Sequence, residues 1–600
     1  MLLPSFIPSL LSLLLLCRSL YAADCPLIGP AFPPPRSLSS SATWNKAIAD
    51  FDSQLKGLLS QTSSPLDASS TSFSLNIFSA HEEKLLYEYH YDAPGLKGSI
   101  AEGQKLDGDT MYRIASVSKA ITVYGLLIET GFKHFNEPVA NFIPEIAAAI
   151  AKSGNDPDDV LTPQWNDITI GSLAGQLSGI GRGYFSDLAG RFNQSVAAQL
   201  GLPPLNDAEI PRCGFKEGLI YHPCSREDVF KEFMSRHPAF APFSTPIYSN
   251  VAYDILGYVL EEISGLSFEE AIRRSIIEPL RLERFGVQTP PNTWGVIPFD
   301  PVTAAWNASL ASSNPNGGFY SSANDLARVG QSILQSRLIS PTDTRRWLKP
   351  NSHTSSLLSS VGSPWEIYRT SNPRVADFYT KFGDIGSYGS AIALSADHDV
   401  GFTVLAAGAK PGSQRTLVAD LVGSLLSNTL DNEARAQAMA DYAGTYTSSP
   451  DTENDKATLI KIGENKDDEG PGLVIDSFLL NGVPLEQHLA AFFGSTQPLP
   501  KIGLRMQPTG LKSKYTDSSR ESVKSRTAFR VVADISDLDA DNNLTSEKIF
   551  SGICEPWQVV DGLTYGQMSF DEFVFELDGE GRAMALDLGF TRQVLDRREN

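Results

Sequence analysis

The chain has 600 residues, 42% of them apolar, and 70 acidic side chains against 49 basic ones give a net charge of −21. One hydrophobic core rarely grows beyond about 300 residues, so at least two domains are expected. So acidic a balance excludes nucleic acid as a partner, because phosphates demand basic surface; the charge reads as solubility rather than as recognition of a cation.

Taken in chain order, Leu2 to Leu16 is a Leu-rich run followed by Ser19-Leu20-Tyr21-Ala22-Ala23, which predicts a signal peptide over residues 1–23 and a secreted product. No Lys or Arg precedes the run, and its interruption at Cys17-Arg18 leaves it short for a bilayer span. No later stretch is apolar enough to cross a membrane, so no membrane contact is expected after cleavage. Residues 24–70 read as a leader, marked by Pro33-Pro34-Pro35, and an amphipathic helix with Trp44, Ile48, Phe51, Leu55 and Leu58 on one face. A mixed domain is expected over residues 71–428. It opens with the alternating segments SFSLNIF and KLLYEYHY, which form a hairpin, and a helix follows from about Ser116 to Leu127. Helical patterns continue through Ala252–Ile263, strands return at Ala391–Leu394 and Phe402–Ala407, and a helix runs from Gln414 to Leu426. The polar stretch SNTLDNEARAQ reads as a linker. Residues 441–600 then alternate as LVIDSFLL, FVFELDG and RAMALDLGF around tight turns, predicting an all-β barrel or sandwich.

Loss of the signal removes Cys17 and leaves Cys25, Cys213, Cys224 and Cys554, an even number for an oxidising compartment. Cys213 and Cys224 bracket a short loop and form the expected pair, with Cys25 and Cys554 as the second; unpaired thiols stay open as the alternative. Sequons at Asn193, Asn307 and Asn543 fit a glycosylated, secreted, eukaryotic product.

The eight histidines form no His-Glu-x-x-His or His-x-His cluster, so no metal is expected, and no phosphate-binding loop or Gly-x-Ser-x-Gly elbow is present. Asp537, Asp539 and Asp541 imitate the start of a calcium loop, but Asn542 and Lys548 stand where that loop requires Gly and Glu. Two Ser-x-x-Lys tetrads occur. Residues three apart share a helix face, so a Lys amine can reach a Ser hydroxyl, and at a helix start the Ser N–H is free to hold an oxyanion. Ser53 and Lys56 lie inside the first amphipathic helix and read as a solvated face. Ser116 and Lys119 begin a helix straight after the strand-like MYRIA, which is the setting the chemistry needs.

The segment MYRIASVSKAITVYGLL resembles the first signature of the serine β-lactamases and penicillin-binding proteins, in the class C-like esterase branch that includes fungal secreted proteins. Four more segments follow in that family's order: ITIGSLAGQLSGIGR, STPIYSNVAYDILGYVLEEISGLSFEEAI, NGGFYSSANDLARVG and YTKFGDIGSYGSAIALSADHDVGFTVLAAG. The resemblance covers roughly residues 70 to 425. It implies an α/β (α+β) fold of the β-lactamase/transpeptidase type, an antiparallel sheet flanked by helices, with no cofactor. It also implies roles. Ser116 would be the nucleophile and Lys119 its activator, Tyr248 the proton shuttle, Asn250 the group orienting Lys119, and Lys381 a positive charge favouring the Tyr248 phenolate and anionic substrates. The N–H groups of Ser116 and Asp384 would form the oxyanion hole, with Gly383 and Gly386 serving backbone approach and turns.

Two departures bear on substrate. Phe382 stands where β-lactamases carry Thr or Ser, and Asp384 is unusual at its position; its carboxylate is expected either to pair with Lys381 or to disfavour anions. The expectation is a serine esterase or transesterase acting on a small acyl substrate. The alternatives are a D-amino-acid amidase or peptidase, a weak β-lactamase, or an inactive ligand-binding relative. Oligomeric state is left open.

Overall fold

Strands from Thr71 to Gly408 assemble into one long antiparallel sheet in the computed structural model, which describes residues 26–61, 63–153, 158–183, 187–216, 220–371, 374–449, 456–463, 470–492, 503–515, 520–534 and 556–598. The chain divides into two units, residues 36–427 and residues 1–35 with 428–600. The expected signal peptide, Cys25, Cys554, Asn543 and the Asp537–Asp541 turn lie outside the described residues.

In the first unit the expected helix is α1 (Ala42–Ser60), capped by Ser41, whose hydroxyl accepts the Trp44 N–H. The expected hairpin is β1 (Thr71–Ser79) with β2 (Tyr87–Tyr91). Later come β3 (Ser352–His353), β4 (Ser359–Val361), β5 (Glu366–Arg369), β6 (Asp377–Ile385), β7 (Tyr388–Ser395) and β8 (Val400–Gly408), and the sheet runs β2-β1-β8-β7-β6-β5-β4-β3. The strands at its centre are buried on both faces: every residue of β1, β7 and β8 is buried. The polar positions of the alternating β1, Ser72, Ser74 and Asn76 among them, are therefore buried too, and their side chains are hydrogen-bonded: Ser72 and Ser74 to Asp92 and Tyr112, and Asn76 to Asn324. Two helices matter for the site, α2 (Ser118–Thr130) and α3 (Val251–Ser264), while α4 (Ala323–Leu334) packs on the sheet against β1 and β8. The expected disulfide between Cys213 and Cys224 is formed, with Cα atoms 5.1 Å apart.

The pairing of β5 with β6 stops where Glu366 faces Thr380, so Lys381 to Ile385 continue past the end of β5. On its other edge β6 stays paired with β7 down to Ile385 opposite Tyr388. One edge of β6 is thereby open over five residues. A sheet edge with unpaired N–H groups is a place for a ligand to bind.

The second unit is all-β, as expected, and of the two architectures offered it is the barrel. Strands β9 (Gly444–Thr447), β10 (Leu459–Ile462), β11 (Leu473–Leu480), β12 (Gly503–Lys514), β13 (Ser525–Asp534), β14 (Glu572–Leu577), β15 (Ala583–Leu588) and β16 (Gln593–Arg597) run in the order β10-β9-β16-β15-β14-β13-β12-β11, and β10 pairs with β11 to close the ring. Closure removes the sheet edges. Its core holds Tyr446, Ile460, Met506, Phe529, Phe575, Leu586 and Leu595. Two expectations need correction. The stretch read as a leader is partly core, since Ala31 and Phe32 are buried in this cluster and the Leu27 N–H donates to Gln507 Oε1 at 2.8 Å. The stretch read as a linker is helical: α5 runs unbroken from Pro411 to Tyr442, and Ala434, Ala438 and Tyr442 face the same cluster.

Candidate active site

Ser116 sits on a 3₁₀ turn (Ala115–Val117) that runs directly into α2. The turn is entered through Ala115 at φ 44°, a left-handed conformation that costs an alanine about 1–3 kcal/mol and re-aims the chain at the nucleophile. The Ser118 hydroxyl steadies the bend by donating to the Ala115 carbonyl and accepting the Phe319 N–H. One turn on, the fully buried Lys119 ammonium donates to Ser116 Oγ at 3.1 Å and to the Asn316 carbonyl at 2.7 Å. Burial lowers its pKa; the neighbouring Tyr248 opposes that and Lys381 reinforces it. An amine held at hydrogen-bond distance with a reduced affinity for its proton is equipped to take one from Ser116.

Tyr248 is carried by the segment that leads into α3, and that segment is laced to the chain around Gln176. Phe243 and Ile247 donate to the carbonyls of Leu177 and Gln176 at 2.7 and 2.8 Å, and Asn250 donates to Arg182 at 2.8 Å. The Ser249 N–H donates to Gln176 Oε1 and the Ser249 hydroxyl to the Gly181 carbonyl. This is the physical work of the LAGQLSGIGR stretch: it fixes Tyr248. Lys119 Nζ and Lys381 Nζ each lie 5.1 Å from the centre of the Tyr248 ring, and the guanidinium of the exposed Arg182 lies at 4.9 Å. Burial pushes the phenol up, but Lys119 and then Lys381 outweigh it, and with a hydrogen bond to Ser116 the pKa falls to about 8.

Lys381 comes from the open end of β6 and is buried. Its ammonium donates to Glu366 Oε1 at 2.6 Å and to the Phe382 carbonyl at 2.9 Å, while Glu366 Oε2 accepts the Phe382 N–H at 3.1 Å. Burial works against the charge, but Glu366 and Tyr248 overcome it and raise the Lys381 pKa. Since the Phe382 N–H points across the open edge, the Asp384 N–H, two residues on in the same strand, points the same way. A Cβ on Gly383 would lie 2.8 Å from Ser116 N and closer still to the Ile114 carbonyl, so only glycine lets β6 approach the nucleophile. Gly386, at φ 53°, turns the β6–β7 hairpin against Ala304.

Ser116, Lys119, Tyr248, Lys381, Gly383 and Asp384 are thus brought to one place. Asn250 begins α3 beside Tyr248, but the contact expected of it is made by the Asn316 carbonyl, and Asn316 is in turn held by its amide on Asp254 Oδ1 at 2.7 Å. The Asp384 carboxylate pairs with Arg415 at 3.1 Å rather than with Lys381, whose carboxylate partner is Glu366. The other tetrad is a surface feature, as expected: Lys56 pairs with Asp52 and the Ser53 hydroxyl donates to Ala49. Asn193 and Asn307 are exposed, and Asn193 Oδ1 caps a short helix by accepting the Val196 N–H. Arg182, Asp254 and Asn316 lie inside the family-like segments without a role that the resemblance assigns, while Glu366 and Arg415 lie outside every one of them.

Residues 79–427 match the Beta-lactamase family, and residues 434–599 match the family described as Beta-lactamase-like-like, C-terminal domain. The chain belongs to the β-lactamase family. It is 30% identical over 597 residues to the "Beta-lactamase-like protein" of Arthroderma benhamiae, across 96% of each chain. It is 26% identical to "Probable hydrolase M10" of Phoma sp., across 70% of this chain and 68% of that one. Among solved structures, a class C β-lactamase from Rhodobacter sphaeroides aligns over 64% of this chain and 99% of its own at 19% identity, with a TM-score of 0.42. This β-lactamase-family protein therefore carries its Ser-x-x-Lys pair, the tyrosine before α3 and the lysine of β6 around one open strand edge.

Proposed function

We propose that the protein is a secreted serine hydrolase that works through an acyl-enzyme at Ser116, acting as an esterase or transesterase. The observation that carries the reading is the 3.1 Å contact from a buried, pKa-lowered Lys119 to Ser116 Oγ, beside a tyrosine whose pKa is drawn down to about 8. The Ser116 proton passes to the Tyr248 phenolate, with Lys119 beside it helping its removal, as Oγ attacks the acyl carbonyl. The developing oxyanion is held by the N–H groups of Ser116 and Asp384, and such a donor contributes roughly 10²- to 10³-fold in kcat. The Tyr248 hydroxyl passes a proton to the departing alkoxide, and its phenolate then activates water or an acceptor alcohol.

Ester rather than β-lactam chemistry is favoured by the surroundings of β6. Lys381 is already committed to Glu366, and Phe382 provides no hydroxyl, so these two positions of β6 are not arranged to hold a substrate carboxylate. Secretion is supported by the apolar amino-terminal run, by the Cys213–Cys224 disulfide and by exposed sequons at Asn193 and Asn307.

Intact-mass measurement after incubation with activated aryl esters and with β-lactams, on wild type and Ser116→Ala, tests the reading. An acyl mass gained by wild type and absent from the variant is expected, faster with esters than with β-lactams. A folded wild type that gains no mass from any donor would overturn it.

A further inference from the structure

Arg415, in the second turn of α5, is 9% exposed at its side chain. Its Nη1 donates to the Gly383 carbonyl at 3.1 Å, to the Ser390 carbonyl at 3.3 Å and to Asp384 Oδ2 at 3.1 Å, and the guanidinium lies 4.7 Å from the centre of the Phe382 ring. Lys381 and Gly383 point to the Ser116 face of β6, so the alternating Phe382 and Asp384 point to the other face, and Arg415 covers that one. The Gly383 carbonyl and the Asp384 N–H belong to the same peptide unit, at opposite ends of its dipole. A buried cation therefore grips the carbonyl end of the peptide whose N–H faces the open edge.

We propose that Arg415 is a positioning residue that polarises and fixes this peptide from behind, strengthening the Asp384 N–H as the oxyanion donor. The inference rests on the acyl-enzyme reading above. A hydrogen bond accepted at a peptide oxygen strengthens the one donated by its N–H, by about 10–30% per bond. The guanidinium charge also acts directly: a unit charge roughly 8 Å from an oxyanion at an effective dielectric near 20 corresponds to about tenfold in rate once the exposed Asp384 carboxylate has screened part of it. Asp384 orients Arg415, and Phe382 seals its upper face. The residues that depart from β-lactamase usage at these two positions thus form the housing of one buried arginine.

The test compares an aryl ester with its thionoester, whose tetrahedral intermediate places negative charge on sulfur, a weak hydrogen-bond acceptor. In Arg415→Met, kcat on the ester should fall about tenfold with KM nearly unchanged, while the thionoester slows less, so the ester-to-thionoester ratio drops severalfold. Arg415→Lys keeps the charge but not the fork and should recover part of that ratio. If Arg415→Met does not fold, Asp384→Asn serves in its place; freeing the guanidinium from its carboxylate should raise the ratio. A general loosening of the fold would slow both substrates alike, and an unchanged ratio in these variants would overturn the proposal while leaving acylation at Ser116 intact. A wild type that never acylates Ser116 would instead overturn both readings at once.

Discussion

Replacing Lys381 by Met should move the pH dependence of acylation, and the structure sets the direction and size. The phenol of Tyr248 is drawn from an ordinary value of 10.0 to about 8 against the effect of its own burial, and Lys119 and Lys381 supply the pull. A charge at this range is worth about one to three pKa units, so losing the Lys381 ammonium, 5.1 Å from the ring centre, returns the phenol to roughly 10. Glu366 pushes the same way once its partner is gone, because a carboxylate opposes a second negative charge. A lowered pKa means the phenolate appears at lower pH, so raising it moves the rising limb of kcat/KM upward. Near pH 7 each unit costs about tenfold in phenolate, giving a loss of roughly 10- to 100-fold that recovers towards pH 10. The assay is kcat/KM from about pH 6 to about pH 10 on an aryl ester whose leaving group needs no proton, with Lys381→Met/Glu366→Gln as the charge-balanced control. The double variant should lie between the single variant and wild type. A rising limb that stays near 8 in Lys381→Met, with only its height reduced, would refute the claim that Lys381 sets the Tyr248 proton affinity.

Gly383→Ala should abolish acylation while the fold survives, because the new methyl would meet Ser116 N at 2.8 Å and force β6 away from the nucleophile. A loss beyond about 100-fold in kcat with an unchanged circular dichroism spectrum is the expected result, and an active variant would show that this approach is dispensable. Asp67 offers a stability test remote from the site. Burial disfavours its charge, but hydrogen bonds from Ser70 and Ser69 outweigh that and hold its pKa near 2. A folded-state pKa below the unfolded one contributes stability that is present above about pH 4 and is lost as pH falls through about 2. The carboxylate is partly exposed, so solvent screening holds the contribution to about 1 kcal/mol; Asp67→Asn should lower stability by that amount at pH 7 and by less near pH 2, as read by urea unfolding at the two pH values.

What the sequence revealed about the site was what lies in local order. Ser116 and Lys119 declare themselves because three-residue spacing on a helix is a contact, and Tyr248 and Lys381 because each sits in a segment of recognisable pattern. Glu366 stayed hidden because it meets Lys381 through strand register, fifteen residues away, in a tetrapeptide with no signature. The Asn316 contact on Lys119 is made by a backbone carbonyl, which any residue supplies. Barrel and sandwich share the same two-residue alternation; what separates them is the pairing of β10 with β11, a long-range fact absent from periodicity. The false linker has a compositional cause. Its polar residues hide a narrow stripe, Leu430, Ala434, Ala438 and Tyr442, whose spacing of four is helical but whose alanines add little hydrophobicity.

The two faces of β6 invite one more step. Each holds a nearly buried cation paired with a more exposed carboxylate: Lys381 with Glu366 on the nucleophile's face, and Arg415 with Asp384 on the other. Such pairs are a poor way to gain stability, because desolvation consumes most of the Coulombic attraction. Their arrangement makes sense for catalysis instead. Both cations lie where negative charge develops, one beside the Tyr248 phenol and one behind the Gly383 peptide, while both carboxylates are turned partly to solvent, which weakens them more than it weakens the cations. The strand carries no net charge from these pairs, yet presents a positive potential at its open edge. On the ester reading proposed above, a neutral substrate that becomes an oxyanion gains from that potential in the transition state alone, whereas an anionic one meets the Glu366 carboxylate on the nucleophile's face.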